Sequence, residues 1–315
     1  MQKLKSALVI LFITTTIACG GKNKTSEDYS SIAQVEQTPA AGSVYFDAEF
    51  YPSHIGSREE YLKAIDSYWD GFNFEADSLV AMYDRRSVVE AFADYVLFIE
   101  PVRADSLLRA LIHRAEASRP VLDLFVEVSD IVLHDPNSPL RNDEYYIPIL
   151  EELAASPLMD EYDRIIFEHD LAIVSKNRVG EIATDFTYSI ANGRKARMSS
   201  IEAQHLILFF FNPECEMCRG IAAEIEASPL LNALMDADKL RILAICPDGD
   251  TEAWRKKTET MPEGWIVAYD DGTQPTIDDL YDLRAIPSLY LLDSAKRVII
   301  KDGTDVGIIE AAVSR

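Results

Sequence analysis

The sequence predicts an α+β chain of two domains, an N-terminal all-α helical bundle followed by a C-terminal α/β sandwich. Three observations carry this. From about Phe46 to Lys176 apolar residues recur at helical spacing, with no convincing strand. At Val179 the pattern changes to alternation, then to short apolar runs separated by helical stretches. One of those runs, His205 to Phe211, leads at once into Asn212-Pro213, a Cys-x-x-Cys pair at Cys215 and Cys218, and a new helical stripe.

Composition bounds the reading. The chain has 315 residues, 48% of them hydrophobic and 10% aromatic, enough for two sizeable cores. Lys and Arg number 30 against 53 Asp and Glu, a formal net charge of -23. Nucleic acid is excluded as a partner class, because phosphate binding needs clustered cations. The acidity reads as a solvated surface.

Residues 1–18 read as a signal peptide: Lys3 and Lys5 precede the apolar run Ala7 to Ile13, which ends at Ile17-Ala18-Cys19-Gly20. The placement of Cys19 resembles a bacterial lipobox, which implies lipidation of that cysteine and a membrane anchor. Cleavage without lipidation is the alternative. Either route delivers an exported protein, where disulfides persist. Residues 19–44 lack apolar periodicity and read as a flexible tether.

In the helical domain, 45–176, Ser57-Arg58-Glu59-Glu60 is a capping box opening a helix that carries Tyr61, Leu62, Ile65, Tyr68 and Trp69. Ser87-Val88-Val89-Glu90 repeats the device before Ala91, Phe92, Tyr95, Val96 and Ile99, and Pro101 ends that helix. Arg103 to Ala117 groups Leu107, Leu108, Leu111 and Ile112, and Pro120 opens a further helix. Pro136 and Pro139 make a rigid turn before a helix capped by Asn142 or Asp143, with Arg141 expected in a local charge lock with Asp143 and Glu144. Asp160 to Ser175 is expected to turn Tyr162, Ile165, Ile166 and His169 inward. These stripes read as core and carry no functional assignment.

In the second domain, 178–315, the stretch Val179 to Tyr188 alternates and meets Asn192-Gly193, a hairpin signal. His205 to Phe211 is a strand buried on both faces, and the helix after Cys215 gathers Cys218, Ile221, Ala222 and Ile225 on one side. Leu240 to Cys246 is a second buried strand, Thr251 to Thr260 a helix with Trp254, and Ile266 to Tyr269 a short strand. Thr276 to Leu283 reads as a helix, Ser288 to Leu292 and Val298 to Lys301 as a closing hairpin, and the chain ends in a helix from about Asp305. The layout suits a mainly parallel-cored sheet.

A dithiol behind a buried strand and before a helix N-terminus is a redox arrangement, since unpaired N–H groups there favour the thiolate of Cys215. Zinc is disfavoured: only one Cys-x-x-Cys is present, and His54, His113, His134, His169 and His205 are scattered. Cys246 is left odd. It is either a third redox cysteine or, the commoner case, a small buried hydrophobe.

FFFNPECEMC, AIPSLYLLD and the Gly180–Phe186 entry strand resemble the thioredoxin-like fold of AhpC/TSA and TlpA-like thiol–disulfide oxidoreductases, over roughly 178–315. DAEFYPSHIGSREEYL, YWDGFNF and the segment from His134 to Leu153 resemble an uncharacterised helical domain that precedes such domains in certain Gram-negative lipoproteins. The resemblance implies that Cys215 is the exposed nucleophile and Cys218 the resolving thiol. It implies a cis Pro287 facing them, with the Ile286 backbone open to an extended substrate. No cofactor beyond the dithiol is implied. The partners it implies are disulfide-containing exported proteins and a redox partner in the envelope of a Gram-negative bacterium.

Departures from that pattern sharpen the expectation. Glu214 stands where relatives carry Trp, altering the substrate platform, and Glu216-Met217 lacks the usual proline. Glu214 and Glu216 oppose a thiolate at Cys215, partly offset by Arg219, so the couple is expected to be reducing. The assisting buried acid is not visible: Phe209 and Ile221 occupy the places for it, and Glu224 is a loose substitute. The rivals are a non-enzymatic binding protein, with the thioredoxin-like part as scaffold, and a thiol peroxidase. The second is disfavoured because Asn212 and Leu208 stand where a peroxidatic motif needs Thr or Ser and Pro.

Overall fold

The computed structural model describes residues 44–75 and 83–314. The leader, Cys19 and the tether as far as residue 43 lie outside the described residues. Val44, assigned to the end of the tether, instead bridges Tyr83 in parallel register and belongs to the folded part.

The helical region contains α1 (Arg58–Asp66), α2 (Arg85–Phe98), α3 (Pro101–Ala115), α4 (Arg119–Ser129), α5 (Asp143–Ala155) and α6 (Glu161–Val174). A π-helical turn, Asp130–His134, extends α4. Its core is aromatic. Phe46 stacks on Trp69 at 5.3 Å, and Trp69 meets Phe125 edge-on at 5.2 Å, tying the entering chain and the end of α1 to α4. None of the described helices is long and apolar enough to cross a membrane.

Three sequence expectations are corrected here. Ser57 caps α1 by accepting from Glu60 N at 3.2 Å, but Glu60 reaches back to Gly56 N rather than to the cap itself. Ser87 is not a cap: Asp84 accepts from Arg86 N, and α2 starts two residues before Ser87. The buried Ser87 hydroxyl donates to Asp84 O at 2.7 Å and accepts from Phe46 N at 2.9 Å, anchoring the incoming chain. In α6 the inward face carries Phe167 and Val174, while Tyr162, Ile165 and His169 face solvent. This helix has apolar residues on more than one side, so its period does not single out the buried stripe.

The sheet strands are β1 (Thr187–Ile190), β2 (Lys195–Arg197), β3 (His205–Phe210), β4 (Leu240–Cys246), β5 (Ile266–Tyr269), β6 (Ser288–Asp293) and β7 (Val298–Gly303). They lie in the order β2-β1-β5-β4-β3-β6-β7. Only the β3–β4 and β4–β5 pairings are parallel, so the parallel core is narrower than expected. The alternating stretch from Val179 is strand only from Thr187. Upstream, Gly180 and Ala183 donate to Val298 O and Lys296 O, each at 2.8 Å, before the chain changes partner.

β3 explains its own composition. Ile207 and Phe209 pack into one apolar cluster and Leu206, Leu208 and Phe210 into the other, on opposite faces. Around the sheet lie α7 (Glu216–Ala227), α8 (Pro229–Asp236), α9 (Glu252–Thr258), α10 (Ile277–Leu280) and α11 (Val306–Val313). The helix expected over Thr276 to Leu283 is thus one short turn, capped by Thr276.

The helical core and the two sheet cores are separate apolar clusters, and the seam between region and sheet is polar. The local charge lock expected for Arg141 does not form. Arg141 donates to Asp282 and ion-pairs with Asp302, Asp143 pairs with Lys301 at 2.6 Å, and Glu144 pairs with Arg178. Consecutive residues entering a helix point in different directions, so each finds a different, distant partner. Asn177 completes the seam by donating to Leu280 O at 2.9 Å.

Candidate dithiol site

The site forms where β3 ends. Its last residues are fixed by pairing on both sides, Phe210 opposite Ile245 of β4 and opposite Ser288 of β6. Asn212 then turns the chain: its Oδ1 accepts from Glu214 N at 2.9 Å, and its Nδ2 donates to Asp248 at 2.8 Å on the turn after β4. That brace aims the chain into α7.

Cys215 is the N-cap of α7. Its sulfur accepts the backbone N–H of Cys218 at 3.1 Å, the role a Ser or Asp oxygen usually takes. A sulfur in that place sees an unpaired N–H and the positive end of the helix dipole. Cys215 is half-buried, whereas Cys218, one turn on, is 3% exposed and faces the core with Ile221, Ala222 and Ile225. Burial, with the hydrogen bond and charge of Cys215 behind it, pushes the Cys218 thiol up to about 12. Cys215, Cys218 and Cys246 are all free thiols.

The second wall comes from the segment before β6. The Ile286–Pro287 peptide bond is cis, and Ile286 O lies 3.9 Å from Cys215 Sγ. Cys215, Cys218, Ile286 and Pro287, assigned together from sequence, are therefore brought together. Glu214, Glu216 and Arg219 are exposed around the sulfur, and Met217, between the cysteines, is 64% exposed.

Cys246 lies fully buried at the end of β4, in the same apolar cluster as Cys218, and burial pushes its thiol up to about 11. Glu224 is exposed on α7 and takes no place under the dithiol. Cys19 lies outside the described residues, among which no group of His, Cys, Asp and Glu is arranged to hold a metal ion.

Sequence reasoning missed the polar groups behind the Ile286 wall. Asp282 is buried, and Arg284 chelates it through Nε at 2.8 Å and Nη2 at 2.6 Å. Burial alone would raise the Asp282 carboxyl, but Arg284 and then Arg141 outweigh it and hold the group down at about 2. The local signal was Asp-x-Arg just ahead of Ile-Pro; the partners across the seam left none.

Comparison with known proteins bears on both halves. Residues 18–177 match the family model described as domain of unknown function 5106. A thioredoxin-like protein from Bacteroides caccae, known from its crystal structure, is 32% identical, with a TM-score of 0.78 over 84% of this chain and 96% of that one. The α+β division, with a thioredoxin-like fold in the C-terminal half, is thus shared along nearly the whole of that protein. The C-terminal domain of an uncharacterized protein from Bacteroides fragilis is 36% identical over 45% of this chain and 100% of that domain, with a TM-score of 0.43. Bovine nucleoredoxin is 25% identical over 114 residues, which is 36% of this chain and 26% of nucleoredoxin, so the match spans about a quarter of that relative.

Proposed function

Because this chain belongs to the thioredoxin-like proteins that carry the domain of unknown function 5106, we propose that it is a thiol–disulfide oxidoreductase working through Cys215 and Cys218. The observation that carries the reading is the Cys215 sulfur, which caps α7 by accepting Cys218 N–H and has Ile286 O 3.9 Å away. One sulfur is accessible, the other is buried a turn behind it, and a backbone wall stands beside the accessible one.

In the reducing direction, Cys215 as thiolate attacks one sulfur of a substrate disulfide. The substrate S–S bond breaks, its departing sulfur takes a proton, and a mixed disulfide forms at Cys215. Cys218 then gives up its proton and attacks Cys215 Sγ, forming the Cys215–Cys218 disulfide and releasing the second substrate thiol. Two electrons pass to the substrate, and a dithiol reductant restores the pair. The buried Cys218 reacts only with a sulfur delivered to it by Cys215, which keeps the sequence in order. The leader and Cys19 support placing this chemistry in the cell envelope, on disulfide-containing exported proteins and with lipid anchoring at Cys19.

Trapping tests the reading. Cys218→Ala should accumulate dithiothreitol-sensitive mixed disulfides at Cys215 in envelope extracts, and the wild type should reduce insulin. Absence of both would favour the non-enzymatic binding protein, with the helical region as the binding part.

A further inference from the structure

The segment Asp282–Pro287 carries Ile286 to the nucleophile, yet none of it lies in a helix or strand. Side chains have to fix it. Its two charged residues, Asp282 and Arg284, clasp each other, and both are engaged from the helical region. Arg141 donates to Asp282 Oδ2 at 3.0 Å, and the Arg284 guanidinium donates to His134 Nε2. Arg141 also ion-pairs with Asp302 on β7, so one guanidinium ties the turn before α5 to the Ile286 wall and to the sheet.

The accepting groups in these contacts are buried, which makes the contacts specific, while the Arg284 donor reaches solvent. The Asp282 side chain is 1% exposed and His134 is 5% exposed. Burying such groups is costly unless their partners are in place: losing Arg284 leaves His134 Nε2 without its donor, and losing Arg141 removes one of the two guanidinium groups that hold the Asp282 carboxylate. His134 is itself fixed by the Tyr146 ring, with centroids 4.5 Å apart. Arg284 can only donate, and it faces both ring nitrogens, Nε2 through Nη1 and Nδ1 through Nη2 at 3.4 Å, which suits a neutral imidazole rather than a second cation. Burial first, and the Arg284 charge second, keep the imidazole neutral by lowering it to about 3.

We infer that the His134–Arg141 turn of the helical region is a positioning element of the dithiol site, setting through Asp282 and Arg284 the Ile286 backbone against which an extended polypeptide lies while its disulfide meets Cys215. Neither Arg141 nor His134 touches substrate. The inference rests on the oxidoreductase reading and narrows it: polypeptide disulfides depend on the turn, and small disulfides, which need only the sulfur, depend on it far less.

The experiment compares wild type, Arg141→Ala and Arg141→Lys on insulin and on hydroxyethyl disulfide, with hydrogen exchange followed at the Leu283–Ile286 amides. Arg141→Ala should raise KM for insulin by up to about a hundredfold, the scale of a displaced positioning group. Its rate on hydroxyethyl disulfide should change far less, and the amides should exchange faster. Arg141→Lys, which keeps the charge but not the fork, should fall between and remains informative where the alanine variant fails to fold. Equal KM for insulin in folded variants, or equal slowing on both disulfides, overturns the inference. A wild type inactive on both disulfides defeats the oxidoreductase reading instead. The positioning contact then stands or falls by exchange in Arg141→Lys, and unchanged protection overturns it.

Discussion

Arg141 Nη2 donates to Asp282 Oδ2 at 3.0 Å, joining groups 141 positions apart in the chain. The pair lies where the helical region meets the sheet, and it is one member of a seam built from charge rather than from apolar side chains. Lys301 and Asp143 form a second member, with side chains only 8% and 11% exposed, and Lys301 also donates to Val174 O at 2.6 Å. A polar seam between two apolar cores sets the orientation of the halves, because its buried charges are satisfied only when their particular partners are in place.

Lys301→Met should therefore destabilise the chain by about 3–5 kcal/mol, since it strands the Asp143 carboxylate in the seam. Adding Asp143→Asn should recover much of that loss, because the stranded charge is then gone. Asn forfeits only the N-terminal helix-dipole contribution of Asp143, on the order of 0.3–1 kcal/mol. Urea unfolding of the two single variants and the double variant measures the cycle. Additive losses would contradict the pairing.

His134 gives a pH prediction whose sign follows from its environment. It is held at about 3, so between that value and its unfolded value near ~6.5 the unfolded chain binds more protons than the folded one. Its contribution is whole above ~6.5 and is lost as pH falls toward about 3. Asp130, raised to about 6 by burial, acts in the opposite sense and flattens the total. Asp282, held at about 2, contributes only at lower pH still. In His134→Gln the imidazole contribution alone is removed. The stability advantage of wild type over this variant should shrink by about 1.4 kcal/mol for each pH unit below ~6.5. Urea midpoints at neutral pH and one to two units lower check it. A constant difference would mean that His134 titrates alike in both states.

Elements whose physics is local were legible in the sequence. β4 and β5 fall on the predicted residues: β4 is buried on both faces and apolar without a break from Ile242 to Cys246, and β5 is a run of four apolar residues, Ile266 to Tyr269. The face of α7 was legible because only Cys218, Ile221, Ala222 and Ile225 recur together. The Asn192-Gly193 turn was legible because Gly193 takes a φ of +76° that other residues resist. Ser87 misled because its pattern also fits a cap, and the choice of Asp84 depends on Phe46, which lies 41 residues away from Ser87. The partners of Arg141, Asp143 and Glu144 were illegible in principle: charge pairing across a seam is decided by tertiary placement.

The thiols should differ sharply in reactivity. Burial pushes Cys218 up to about 12 and Cys246 up to about 11, so both remain protonated and shielded at mildly alkaline pH. Iodoacetamide applied to the folded, reduced protein should label Cys215 well before either, and all three once urea is added. Peptide mapping by mass spectrometry reads the order. Early labelling of Cys246 would place it on the surface and reopen a third redox role.

The redox potential tests the acidic surround of Cys215. Glu214 and Glu216 are exposed neighbours of Cys215, and like charge raises the free energy of any anionic form beside it. Exposed charges interact weakly, so the pair together should be worth at most about 1 kcal/mol, or roughly 20 mV for a two-electron couple. Glu214→Gln with Glu216→Gln should therefore shift the couple upward by that amount or less. The shift should shrink in high salt, where the Debye length falls to about 3 Å at 1 M. The wild-type couple itself should lie nearer the reducing end of this fold, about -270 mV, than the oxidising end, about -120 mV. Equilibration against dithiothreitol and glutathione buffers, read by alkylation and mass, gives both values. A wild-type potential at the oxidising end would show that the helix N-terminus and Arg219 outweigh the two carboxylates and that the site is built to donate disulfides rather than to remove them, and a downward shift in the double variant would show that the carboxylates favour the reduced form.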